Sequence, residues 1–249
     1  MEKTIVFLHG FGEDHSIFDL QIDSLKSSYN VFAPDLPGSG LLNNHVWENG
    51  TETIEWMADW VYEQLKAKNI TKCIMLGHSM GGYIMLAFAA KYPSILSGFG
   101  LLHSTAFADN DAKKETRGKA ILFMQEKGGY TFLKTAIPGL FAPGFSANFP
   151  GVVQHLVDKA SNFQLNSLVA YYRAMIARPD RTEVLKAAAV PVLMVAGTDD
   201  QAVPLADLLI QSSLPPICHF HVLPNVGHMG MVEEPQLFKD ILFNFIGAV

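Results

Sequence analysis

Apolar positions in this chain fall into two kinds of run. The short kind is almost unbroken: residues 4–8 (TIVFL), 30–33 (NVFA), 73–76 (CIML), 99–102 (FGLL), 192–196 (VLMVA) and 218–223 (CHFHVL). Several lack the polar alternation of a half-exposed strand, so they read as strands covered on both faces, as in parallel sheets. The longer kind spaces its apolar residues at helical intervals: 16–27, 51–68, 80–91, 205–212 and 235–246. Pro235 suits the first turn of a final helix. Strand and helix in alternation predict a doubly wound α/β sheet of about six strands with helices on both faces.

The alternation stops between residues 109 and 186, where no strand is evident. That stretch is helix-like, punctuated by Pro-Gly pairs, and rich in Phe and Met. It reads as a helical insertion before the last two strands, dividing the core into 1–108 and 187–249. Most of its aromatic residues are expected in its own packing. Its charged start, DNDAKKETRGK, reads as a solvated helix face.

Composition narrows the function. With 49% apolar and 17% charged residues the chain can bury a large core and is not expected to be disordered. A net charge of -6 with no dense Lys/Arg block disfavours nucleic acid and an anionic membrane surface as partners. The two cysteines, Cys73 and Cys218, lie in apolar runs and read as buried thiols rather than a disulfide scaffold or metal ligands. No apolar run reaches the length of a signal peptide core or a membrane span, so the expectation is a soluble, cytoplasmic protein.

The candidate chemistry centres on Gly77-His78-Ser79-Met80-Gly81, a G-x-S-x-G segment between a predicted strand and a predicted helix. A nucleophile elbow needs that context: a turn so tight that only small residues fit two places either side of the serine, lifting its hydroxyl at a helix N-terminus. Serine needs a base. His228, in Asn225-Val226-Gly227-His228-Met229 after the last strand, stands where the order serine, acid, histidine requires it. His219 and His221 alternate on a strand, and His45 and His155 lack a comparable context. The orienting acid is Asp200, with Asp199 as the alternative; both follow the strand VLMVA. The oxyanion formed on attack needs N–H donors, expected from Met80 and from Phe11 in His9-Gly10-Phe11-Gly12. His9 reads as a brace for that loop.

These segments together resemble the α/β-hydrolase family with a helical cap, and are similar to its small bacterial carboxylesterases. H-G-F-G, P-D-L-P-G-S-G at 34–40, G-H-S-M-G-G, D-x-x-V-P and G-H follow in family order over nearly the whole chain. Unlike the usual family member, this chain reaches the H-G-x-G strand at Thr4, without two preceding strands. The resemblance implies six parallel strands in a three-layer α/β-hydrolase fold. It also implies ester hydrolysis through an acyl-enzyme on a small or medium apolar substrate, with no cofactor and no metal. C–C bond hydrolase, thioesterase and perhydrolase chemistry use the same triad, and the fold also serves as a small-molecule receptor. Ser79 argues against epoxide hydrolases and haloalkane dehalogenases, which use Asp there. The expected substrate pocket comprises Phe11, His78, His103, Phe132, Phe141, Met175 and Met229.

Overall fold

The computed structural model describes residues 3–48 and 52–249. Six parallel strands form one sheet: β1 (Thr4–Leu8), β2 (Asn30–Phe32), β3 (Cys73–His78), β4 (Leu96–Leu102), β5 (Val192–Gly197) and β6 (Cys218–Leu223), in the order β2-β1-β3-β4-β5-β6. The core helices are α1 (Asp19–Leu25), α2 (Ile54–Ala67), α3 (Met80–Lys91), α10 (Leu205–Gln211), α11 (Gly230–Glu233) and α12 (Pro235–Ala248). Between β4 and β5 come α4 (Asp111–Lys127), α5 (Gly129–Ala136), α6 (Pro143–Asn148), α7 (Pro150–Lys159), α8 (Leu165–Ala177) and α9 (Thr182–Lys186).

The unbroken apolar strands follow from two covered faces. On β1, Val6 and Leu8 pack with α2 and α3, while Ile5 and Phe7 pack on the opposite face with Phe18, Leu25 and α12. Successive side chains point to opposite faces, so a strand buried on both needs apolar residues at every position. The first helical stretch begins as a 3-10 turn at His15–Phe18 before α1, with the Asp14 side chain accepting from the Ser16 N–H. Thr53 caps α2 by accepting the Trp56 N–H; the expected start at Thr51 lies outside the described residues. Cys73 is buried, but Cys218 is only half-buried because β6 is the sheet edge.

The charged run at 109–119 departs from a purely solvated face. Asp109 is buried, and it bonds two guanidiniums: Arg117 Nε at 2.7 Å and Arg178 Nη2 at 3.0 Å. Spacing alone did not reveal this, because Arg178 lies 69 residues away on the far side of the inserted helices.

Strand order reverses at β1, which pairs with β2 on one side and β3 on the other. Carboxyl ends of strands at such a switch point open a crevice for ligand. The segment after β1 and the turn after β3 meet there.

Candidate active site

The turn after β3 carries Ser79 at φ 51° and ψ -117°, a conformation side chains rarely adopt. Three bonds hold it: Ser79 N–H to the Leu102 carbonyl (3.0 Å), Gly82 N–H to the Ser79 carbonyl (2.9 Å), and Ser104 Oγ to the same carbonyl (2.6 Å). Close packing accounts for the flanking glycines. A Cβ at Gly77 would meet the Gly81 carbonyl, and one at Gly81 would meet the Leu8 carbonyl of β1. The helix that begins at Met80 can thus press against the end of β1.

His228 follows β6, and its Nδ1–H donates to Asp200 at 2.9 Å from Oδ2 and 3.1 Å from Oδ1. Asp200 is 4% exposed and accepts further from the Ala202 and Val203 N–H groups and from His103 Nδ1 (3.3 Å). Burial alone would raise its carboxyl pKa. The His228 ring and the hydrogen bonds from both histidines outweigh burial and hold it below the usual carboxylate range. Asp199, the alternative acid, is partly exposed, and its carboxylate takes the Thr198 hydroxyl instead. Burial pushes His103 down to about 4, so it is neutral at physiological pH and donates through Nδ1 to Asp200.

Ser79 and His228 face one cavity of about 560 Å³. Among the described residues no direct hydrogen bond joins their side chains. In resting enzymes such contacts are often long and tighten with substrate.

The loop after β1 is locked from below. His9 Nδ1–H donates to the Gly10 carbonyl (2.9 Å), while its Nε2 accepts the Leu36 N–H (3.0 Å). Glu13 Oε2 accepts the Gly10 N–H (2.7 Å) and the His78 Nδ1–H (2.9 Å), and His78 Nε2–H donates to the His228 carbonyl (2.9 Å). Both His78 nitrogens face acceptors, so the ring carries two protons. Burial would lower its pKa, but the Glu13 charge, the Glu13 hydrogen bond and the His228 carbonyl raise it on balance. Glu13 moves the opposite way: burial would raise it, and His78 lowers it on balance. One buried ion pair therefore joins the loop after β1, the serine turn and the histidine loop.

A second carboxylate grips the histidine loop. Glu233 accepts the N–H groups of Gly227 (3.0 Å), Met229 (3.1 Å) and Ala142 (2.9 Å), and the His228 N–H donates to the Leu140 carbonyl (2.6 Å). Residues 140–142 belong to the inserted region, so that region binds this loop directly.

Of the expected pocket residues, Phe11, Phe132 and Met175 line the Ser79 cavity. His78 and His103 do not, being fully buried in the networks above. Phe141 is buried and stacks on Phe145 at 5.4 Å between ring centroids. Met229 lines a separate, narrower cavity beyond Phe11. The cavity walls not foreseen include Glu13, Tyr83, Lys113, Arg117, Leu140 and Tyr172. Glu13 lies three residues past the H-G motif and was legible as a buried acid only through its partner.

Among the described residues two clusters bring three ligand-type atoms within 4.8 Å of one another: His103, Asp200 and His228, and Asp14, His15 and Asp35. In the first, a cation would compete with the hydrogen bonds that orient His228. In the second, Asp35 already takes the His15 N–H and ring and the Leu41 N–H.

A six-stranded parallel sheet with a strained serine after β3, an acid after β5 and a histidine after β6 defines an α/β-hydrolase. The chain belongs to the alpha/beta hydrolase family, whose pattern matches residues 5–241. It is similar to a thermophilic esterase from Thermogutta terrifontis, with a TM-score of 0.91, 27% identity and coverage of 99% of this chain and 90% of that one. It is 25% identical over 248 residues to the pimeloyl-[acyl-carrier protein] methyl ester esterase of Aeromonas hydrophila, covering 98% of this chain and 95% of the relative. It is 24% identical over 246 residues to 3-oxoadipate enol-lactonase 1 of Acinetobacter baylyi, covering 99% and 89% respectively. The chain spans only 28% of the length of a 1-acylglycerol-3-phosphate O-acyltransferase of Arabidopsis thaliana and 64% of an acetoin-system acetyltransferase component of Cupriavidus necator. Among the described residues no helix is long and apolar enough to cross a membrane.

Proposed function

We propose that this protein is a serine hydrolase that cleaves carboxylic esters through an acyl-enzyme, with Ser79 as nucleophile, His228 as base and Asp200 as orienting acid. The observation that carries the reading is the Asp200–His228 pair facing a strained Ser79 across one cavity. His228 Nε2 takes the Ser79 proton as Oγ attacks the carbonyl carbon. The Met80 and Phe11 N–H groups receive the oxyanion. His228 then gives its proton to the leaving alkoxide, leaving an acyl-Ser79 ester. Water, deprotonated by His228, attacks that ester; the acid leaves and Oγ regains its proton. No metal or cofactor takes part in these steps.

Apolar walls from Phe11, Phe132, Leu140 and Met175 suit a small or medium apolar chain beside the scissile bond. Esterase and lactonase relatives at full-length coverage support hydrolysis of oxygen esters. Cytoplasmic location belongs to the same reading, supported by two unpaired thiols in a chain of modest acidity.

The test is the intact mass after reaction with a fluorophosphonate probe, beside Ser79→Ala. A single adduct on the wild type, absent from the variant, is expected. A folded wild type that takes no adduct, or a variant that still takes one, refutes Ser79 as nucleophile.

A further inference from the structure

One wall of the Ser79 cavity carries more positive charge than the fold needs. Arg117 on α4 and Arg178 beyond α8 share the single buried carboxylate of Asp109. Arg178 is satisfied: Nη1 donates to the Met175 carbonyl (2.7 Å), Nη2 to the Phe107 carbonyl (3.1 Å) and to Asp109, and the guanidinium lies 3.8 Å from the Tyr83 ring centroid. Arg117 is less fully engaged. It spends Nε on Asp109, its side chain also hydrogen-bonds the Tyr172 hydroxyl, and among the described residues its two Nη groups meet no carboxylate or carbonyl. Its side chain is 13% exposed, and that exposure opens into the cavity that holds Ser79 and His228.

Lys113, one turn earlier on α4, lines the same cavity, and among the described residues its ammonium bonds the neutral Ala202 carbonyl (2.9 Å) and no carboxylate. The one carboxylate on the lining is Glu13, which His78 neutralises. A guanidinium that shares one carboxylate with another arginine and otherwise meets only a neutral hydroxyl, at a cavity wall, is a site for a planar anion.

Position fixes what the anion is attached to. The Tyr172 ring has the Arg117 guanidinium at 5.1 Å from its centroid and Phe11 stacked against it at 4.3 Å. Phe11 stands in the loop beside the serine turn. The guanidinium therefore lies across Tyr172 and Phe11 from the serine turn, along one wall of the same cavity.

We propose that the preferred substrate is an ester carrying a carboxylate at the far end of a short chain, and that Arg117 binds this carboxylate. The proposal rests on the ester-hydrolase reading and narrows its substrate class. Tyr172 braces the guanidinium through its ring and hydroxyl, Asp109 fixes it through Nε, and the apolar walls take the methylenes between. Lys113 adds positive potential without a fixed contact.

The experiment compares monomethyl adipate with methyl hexanoate, matched in chain length, by methanol release. It adds calorimetric binding of monomethyl adipate to Ser79→Ala, which reads the anion site without turnover. Wild type is expected to favour monomethyl adipate by roughly ten- to hundredfold in kcat/KM, the span of a charge-assisted hydrogen-bond pair. Arg117→Gln is expected to collapse that ratio through KM, and Arg117→Lys to restore part of it. Ser79→Ala binds monomethyl adipate, and Ser79→Ala with Arg117→Gln does not. Equal kcat/KM for the two esters in wild type, or a preference that survives Arg117→Gln, overturns the proposal. If neither ester is cleaved but Ser79→Ala binds the half-ester through Arg117, the ester-hydrolase reading fails and the anion site stands. If Ser79→Ala binds no half-ester, the site fails whatever the turnover.

Discussion

Replacing Glu13 by Gln tests the buried ion pair under the active site. Gln keeps the shape and one acceptor oxygen near the Gly10 N–H, so the change removes mainly charge. His78, fully buried, is then left with a proton that nothing balances. Keeping it costs about 3–5 kcal/mol, the range for a buried pair broken on one side. Losing it leaves one ring nitrogen unable to donate, and costs about 1–3 kcal/mol for a buried acceptor without its partner. The cheaper course governs, so the expected loss is about 2 kcal/mol. For a chain of this size that lowers Tm by roughly 4–8 °C.

Its pH dependence has a defined sign. The His78 pKa is raised in the folded state, so its share of stability is full below its ordinary 6.5 and fades as pH rises through the folded value. Glu13 is lowered, so its share is present above its ordinary 4.5 and fades as pH falls through the folded value. The gap between wild type and variant is therefore widest between pH 4.5 and 6.5 and narrows in alkali. Scanning calorimetry of both proteins from pH 5 to 9 measures it. Tm curves that run parallel, or lie within about 1 °C, refute the argument. Activity adds a second readout: with the His228 carbonyl released, kcat is expected to fall while KM holds.

Asp200→Asn should lower kcat by about 10⁴-fold, because Asn stabilises neither the correct tautomer nor the charged ring; Asp199→Asn should change it little, and ester kinetics decide between them. Glu233→Ala strips the acceptor from three buried N–H groups around His228. At about 1–3 kcal/mol for each unsatisfied donor, a large drop in the urea midpoint is expected. Gly81→Ala drives a Cβ into the Leu8 carbonyl, so stability should fall and fluorophosphonate labelling should slow together. His103→Leu removes one donor from Asp200, and activity should decline less than in Asp200→Asn.

Most of the fold was legible because the sheet is buried on both faces: runs such as TIVFL and VLMVA leave little choice but a central strand. The three proposed chemical residues could be named because each sits at a strand end in a fixed order; Asp200 is the buried one that meets the His228 ring, while Asp199 takes the Thr198 hydroxyl. Pocket lining was less legible. His78 and His103 are near Ser79 in sequence or in strand position, and polar character made them natural lining candidates. Both turn inward because buried carboxylates, Glu13 and Asp200, claim them. Arg117 was hidden in an ordinary run of helix charges. Its difference from Lys114 or Lys119 comes from Asp109 and Tyr172, which reach it only in the folded chain. Ion pairs between distant segments leave no periodic trace, so sequence pattern fails first where long-range charge contacts decide orientation.

The bonds from residues 140–142 to the histidine loop have a consequence for how the protein fails on heating. The Leu140 carbonyl and the Ala142 N–H belong to a short, glycine-punctuated link, whereas the sheet beneath is buried on both faces. Local opening of that link releases the His228 backbone without disturbing a single strand pairing. Activity is therefore expected to fall on heating below the calorimetric Tm and to return on cooling; activity loss that coincides with melting of the core would refute this.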